Sequence, residues 1–136
     1  MGTRPPGSDA TEALEDGRTI LLVDDAETIL VMETMILGDH YDILTAVDGA
    51  DAVTKAAQMQ PDLILMDVMM PNINGMEACR ALQGRDDTRH IPVIMVTTRS
   101  ETEIIREALL AGCVDYVTKP IDGVELLAKV RNILGA

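Results

Sequence analysis

Short, nearly continuous apolar runs alternate with longer stretches of helical spacing along most of this chain, and that alternation admits few folds. The runs Thr19–Val23, Tyr41–Ala46, Leu63–Met66, Val93–Thr97 and Asp115–Val117 are rich in β-branched and large aliphatic residues and bounded by polar ones. Between and after them, Glu27–Leu37, Ala50–Met59, Gly75–Gln83, Thr102–Ala111 and Gly123–Leu134 carry apolar residues at helical intervals. Runs such as ILLV, LILM and VIMV do not alternate with polar residues. Such strands need cover on both faces, which is the condition of a parallel sheet between two layers of helices. The expectation is a three-layer α/β sandwich with five parallel strands and five helices. Right-handed crossovers restrict the topology, and the flavodoxin-like order 2-1-3-4-5 places the first, third and fourth strands side by side.

At 136 residues the chain suits one domain. Residues 1–17 are rich in Gly, Pro, Ser and acids without apolar periodicity and read as a flexible leader, leaving 18–136 as the folded unit. The sequence stops at the end of the fifth helical stretch, so no output domain is expected. No apolar run approaches the roughly 20 residues that cross a bilayer, and the N-terminus has no apolar signal core. A cytoplasmic protein without membrane contact is expected. The net charge of -12, with no cluster of Lys and Arg, argues against direct binding to nucleic acid, since phosphate backbones are held by grouped cations. Cys79 and Cys113 lie in apolar surroundings without CxxC spacing or a nearby His, and read as buried thiols.

Ligands of open α/β sheets bind beyond the carboxyl ends of the strands, so the residues that close each apolar run are the informative ones. The first strand ends in Asp24-Asp25, the third in Asp67, the fourth in Thr97-Thr98, and the fifth leads to Lys119-Pro120. Each has an ordinary explanation taken singly: a helix cap for Asp24 or Asp25, a turn opening for Asp67, a strand residue for Thr97, an exposed cation for Lys119. Together they would need four coincidences on one edge. Carboxylates a few Å apart repel by about 1 kcal/mol per pair in water and about 4 kcal/mol at an effective dielectric near 20. Protonation of one acid would relieve this. A hard divalent cation relieves it better, and the small number of carboxylates suits Mg2+, which keeps waters and phosphate oxygens in its shell, rather than Ca2+. A carboxylate nucleophile with a cation, a lysine and a hydroxyl has the parts for phosphoryl transfer.

These residues stand in a larger pattern. LLVDDAE, LILMDVMMPNINGMEACRAL, IPVIMVTT and YVTKP occur in the order and spacing of the response-regulator receiver family, which the chain resembles from about Arg18 to Leu134. The resemblance implies a phosphoacceptor role for Asp67, fed by a phosphohistidine on a histidine kinase or histidine phosphotransfer protein. It implies direct Mg2+ ligation by Asp25 and Asp67, ligation through water by Asp24, and a further oxygen from the Met69 carbonyl. Lys119 is similar to the residue that pairs first with the acceptor and then with the phosphoryl oxygens, and its bond to Pro120 is expected to be cis. Thr97 resembles the hydroxyl that bonds the phosphoryl group, and Tyr116 the aromatic that turns inward behind it. Such a domain is no enzyme in the usual sense; it catalyses its own phosphorylation from a donor and its own dephosphorylation. Its signal would pass to a downstream protein target through the fourth helix, fifth strand and fifth helix, from a monomer or weak dimer.

Three local features refine these expectations. Met69 and Arg99 occupy positions that line the approach of the hydrolytic water in the family, and apolar Met69 is expected to hinder it. Ile121 stands where many relatives carry Phe. Along the first helix, Ile29, Met32 and Ile36 are expected to face the sheet, leaving Val31 and Met35 towards solvent with Leu30 flanking, a patch suited to docking a helical phosphotransfer partner. Two rivals fare worse. An aspartyl phosphatase would carry a DxD sequence after its first strand, and a flavodoxin-like electron carrier would need a phosphate-cradling loop there and aromatics for the flavin. This chain has Asp-Asp-Ala-Glu and neither Phe nor Trp.

Overall fold

In a computed structural model, which describes residues 17–70, 74–98 and 102–135, the elements alternate strictly. They run β1 (Thr19–Val23), α1 (Glu27–Leu37), β2 (Asp42–Ala46), α2 (Gly49–Met59), β3 (Leu63–Asp67), α3 (Gly75–Gln83), β4 (Val93–Thr97), α4 (Thr102–Leu110), β5 (Asp115–Thr118) and α5 (Gly123–Leu134). All four strand pairings are parallel, in the order β2-β1-β3-β4-β5. The expected architecture and strand order therefore hold. Boundaries moved by one residue at several places: Tyr41 precedes β2, Asp67 and Thr118 are still within their strands, Gly49 opens α2, and α4 ends at Leu110 rather than Ala111.

Alternation along the strands divides the core in two. Leu21, Val23, Ile64, Met66 and Met95 point to one face, where they meet Ala52 and Ala56 of α2, Ala78, Cys79 and Leu82 of α3, and Ala108 of α4. Ile20, Leu22, Leu65, Ile94 and Val96 point to the other, against Leu30 and Leu37 of α1 and Leu126 and Val130 of α5. The central strands β3 and β4 are buried along their whole length, as unbroken apolar runs require. Alanines on α2 and α3 let those helices lie close together, since a small side chain shortens the distance between helix axes. Three helix starts are fixed by side chains: Asp48 accepts from Asp51 N–H at α2, Asp122 caps α5, and Asn74 forms a reciprocal capping box with Glu77 at α3.

The first helix departs from expectation. Its buried stripe is Leu30, Glu33 and Leu37, while Met32 is exposed and Ile29 and Ile36 are only partly covered. The expected inward face was thus rotated by about one residue. The segment ILVMETMIL is apolar around most of its circumference, so it has no sharp apolar phase, and the true inward stripe contains an acid. Leu30, expected to flank the patch, is instead mostly buried at its base. Val31 and Met35 are exposed as expected, at 53% and 75%.

Both cysteines are free and buried, and burial pushes each thiol up to about 11, so they behave as inert core residues. Among the described residues no helix is long and apolar enough to cross a membrane.

Candidate functional site

The connections leaving β1 and β3 depart to opposite faces of the sheet, which opens a crevice beyond their carboxyl ends. Asp24 and Asp25 follow β1 and Asp67 closes β3, so the strand register itself brings these acids to one rim. Each offers a carboxylate oxygen, and the three oxygens lie within 4.8 Å of one another. Asp24 and Asp67 are buried and Asp25 is exposed, giving the cluster an open side. Asp24 does not cap α1 by its side chain; the N-cap is Ala26, whose N–H donates to Asp24 Oδ1 at 2.9 Å and fixes that carboxyl. The donor set is of hard oxygen only, close-set and negatively charged, which fits a small divalent cation such as Mg2+ and would leave room for water or phosphate oxygens on the Asp25 side.

Lys119 joins this cluster from the loop after β5. Its ammonium lies 3.2 Å from Asp24 Oδ2 and 3.3 Å from Asp67 Oδ1. The Lys119–Pro120 bond is cis, as expected, and Lys119 N–H donates to the carbonyl of Thr97 at 2.7 Å, so β4 and the loop after β5 are joined at this rim. Burial and then the neighbouring Asp24 push Asp67 up to about 6, against the opposing pull of Lys119 and a backbone hydrogen bond from Met69. On Lys119 burial works downward, but Asp67 and Asp24 prevail and hold the ammonium above its ordinary range.

The other expected residues are spread around the acids. Thr97, at the end of β4, is buried. Tyr116 lies on β5, partly buried against the cluster that includes Met95 and Cys113, and the Lys129 ammonium stands 4.9 Å over its ring. Lys129 also donates to the Tyr116 carbonyl and pairs with Asp115, so this part of β5 is held from α5. Met69 is exposed at 66%. Ile121 packs partly buried against the α1–α5 core. Arg99 lies outside the described residues. Along α1, Glu27, Leu30, Val31, Thr34 and Met35 together with Thr45 of β2 line a groove of about 320 Å³.

Two residues that the sequence did not single out belong to this region. Gly75 N–H donates to Val68 carbonyl at 2.9 Å, tying the start of α3 to the turn after Asp67. Glu33, 1% exposed on the inward side of α1, is pushed up to about 8, chiefly by burial and then by Asp24. The signal for Glu33 was present: it is the lone charged residue between Glu27 and Asp39, set three after Leu30 and four before Leu37.

A parallel α/β sheet with three acids and one lysine gathered at its topological switch point defines a class of cation-seeking acidic sites at the rim of a flavodoxin-like fold. Residues 20–131 match the response regulator receiver domain, and the chain belongs to this family, the receiver domains of two-component signalling. Its sequence is 42% identical over 115 residues to the response regulator PleD of Caulobacter vibrioides, covering 84% of this chain and 25% of PleD. The chain thus spans about a quarter of that relative. The chemotaxis response regulator CheY4 of Vibrio cholerae shares the fold with a TM-score of 0.81 and 30% identity, over 86% of this chain and 98% of CheY4. The receiver domain of a Pseudomonas aeruginosa sensor histidine kinase, solved with a magnesium ion coordinated in its active-site cleft, matches with a TM-score of 0.78 and 31% identity, over 88% of this chain and 99% of that one.

Proposed function

We propose that the chain accepts a phosphoryl group on Asp67 from a phosphohistidine donor with the aid of Mg2+, and that the modified carboxylate resets the surface formed by α4, β5 and α5. The observation that carries this reading is the buried Asp67 carboxylate, 3.3 Å from the Lys119 ammonium and within 4.8 Å of oxygens of Asp24 and Asp25. A carboxylate oxygen of Asp67 attacks phosphorus; a P–O bond forms, the P–N bond breaks, and its electron pair returns to the donor imidazole. Bound Mg2+ would supply the charge neutralisation this transfer demands, held by Asp25 and Asp67 directly, by Asp24 through water and by the Met69 carbonyl. Lys119 then moves its charge-assisted contact from the Asp67 carboxylate to the phosphoryl oxygens.

The same residues offer a route from charge to shape. Phosphorylation adds negative charge and acceptor oxygens beside Thr97 and Lys119, whose backbones are already bonded to each other. A preference of ~2.7 kcal/mol for the arrangement that completes those contacts shifts the population about a hundredfold. Thr97 supplies the hydroxyl, and Tyr116 turns inward behind it. The groove along α1, with Val31 and Met35 exposed, is the dock for a helical donor protein.

Labelling with a small phosphodonor tests the chemistry. Wild type incorporates acid-stable, base-labile phosphate with Mg2+ and not after chelation, and Asp67→Asn incorporates none. Label retained in Asp67→Asn would sink the assignment.

A further inference from the structure

Glu33 is a carboxyl buried on the inward face of α1, between apolar side chains. Its neighbours on the inward face of α1 are Leu30 and Leu37, and the layer beneath is formed by Ile20, Leu22, Leu126 and Val130. It is 1% exposed, and its Oε1 has no hydrogen-bonding partner among the described residues. The charged groups that face it are Asp24 at the end of β1, Asp67 at the end of β3 and Lys119 after β5; the α5 and β2 side chains packed against the same core are apolar, among them Leu126, Val130 and Ile43. An unpartnered carboxylate at such depth is costly, whereas a neutral carboxyl is tolerated. Lys119 is already engaged by Asp24 and Asp67, so its charge is shared before it can serve Glu33.

From this geometry, and resting on the Mg2+ site proposed above, we infer that Glu33 is a proton-carrying positioning residue that surrenders its proton when the divalent cation enters the acidic rim. The balance is simple. In the metal-free protein the Glu33 oxygen bears hydrogen; on cation entry the O–H bond breaks, the pair stays on the carboxylate, and the proton passes to solvent. Glu33 is no ligand: it lies on the buried side of α1, and it acts on the cation through space. Burial and Asp24 push it up to about 8, so it carries its proton at neutral pH. A nearby cation commonly lowers a carboxyl by one unit or more, and one unit is a tenfold change in affinity.

Isothermal titration of Mg2+ into unphosphorylated protein reads this directly, in two buffers of different ionisation enthalpy and from pH 6 to 9. Wild type should release a fraction of a proton at pH 7.5 that Glu33→Gln does not. Its Mg2+ affinity should also rise about fivefold more than that of Glu33→Gln between pH 7 and 9, the part of a one-unit shift that falls in that window. Both proteins share the gain near pH 6 that comes from Asp67, so the difference isolates Glu33. Where Gln at this depth impairs folding, Glu33→Leu replaces it, and it too should lack the extra proton and the extra affinity. Equal proton release and parallel pH curves overturn the role of Glu33 while leaving the Mg2+ site intact. Absence of Mg2+ binding in wild type, at any pH, overturns both.

Discussion

Gly75 presses its backbone against the carbonyl of Asp67: a Cβ built there would stand 2.3 Å from that oxygen and 2.9 Å from Val68 Cα. Neither neighbour is a flexible side-chain tip, so the strand or the helix must move. Gly75→Ala is therefore expected to destabilise the fold by about 1–3 kcal/mol and to displace Asp67, the proposed acceptor. Urea unfolding reads the first effect, and labelling by a small phosphodonor the second. A variant as stable and as readily labelled as wild type would show that the turn has slack.

Lys119 forms salt bridges to both buried acids, with an ammonium 3.2 Å from Asp24 and 3.3 Å from Asp67. In the metal-free protein Asp67 sits at about 6 against an ordinary 3.8, so the folded state holds more protons than the unfolded state between those values. Stability that this acid contributes is full below pH 3.8 and is lost as pH rises through about 6. Lys119→Met should push Asp67 higher still, extend that loss to higher pH, and cost about 1–3 kcal/mol at pH 7, with most of it restored by saturating Mg2+. Carbon-detected NMR titration of the Asp67 carboxyl, with thermal melts at matched pH, checks both signs. An unmoved titration would mean that Lys119 is electrostatically idle.

Val31 lines the α1 groove and is 53% exposed, so a charge there changes the docking surface with little effect on the core. Val31→Glu should slow phosphotransfer from a protein donor by roughly tenfold, the equivalent of about 1.4 kcal/mol, and leave small-donor labelling unchanged. Equal loss in both assays would place the effect at the acids and not at a dock.

Met69 stands two residues beyond Asp67 and is 66% exposed; the expectation drawn from the family resemblance is that its apolar side chain shields the phosphorylated carboxyl from water. Met69→Asn replaces that shield by a group that can orient water, and should shorten the phosphorylated lifetime several-fold. Loss of label followed over time measures this, and an unchanged decay rate would remove Met69 from the hydrolytic path.

Much of this was legible in the linear chain because it depends on local chemistry. Unbroken runs such as LILM require burial on both faces, and their alternation with helical stretches leaves a doubly wound parallel sheet as the natural solution. Acids at the ends of the first and third runs then share a rim, because parallel strands present all their carboxyl ends to one side. Tertiary structure decided what no periodicity encodes. The inward phase of α1 was set by packing against β1 and α5, and it buried Glu33 in place of Met32. The contact of Gly75 with Asp67 joins residues from two elements across a turn, and the sharing of Lys119 between Asp24 and Asp67 spans 95 residues of sequence. Such relationships arise from the distances between elements once packed, and a one-dimensional pattern carries no record of them.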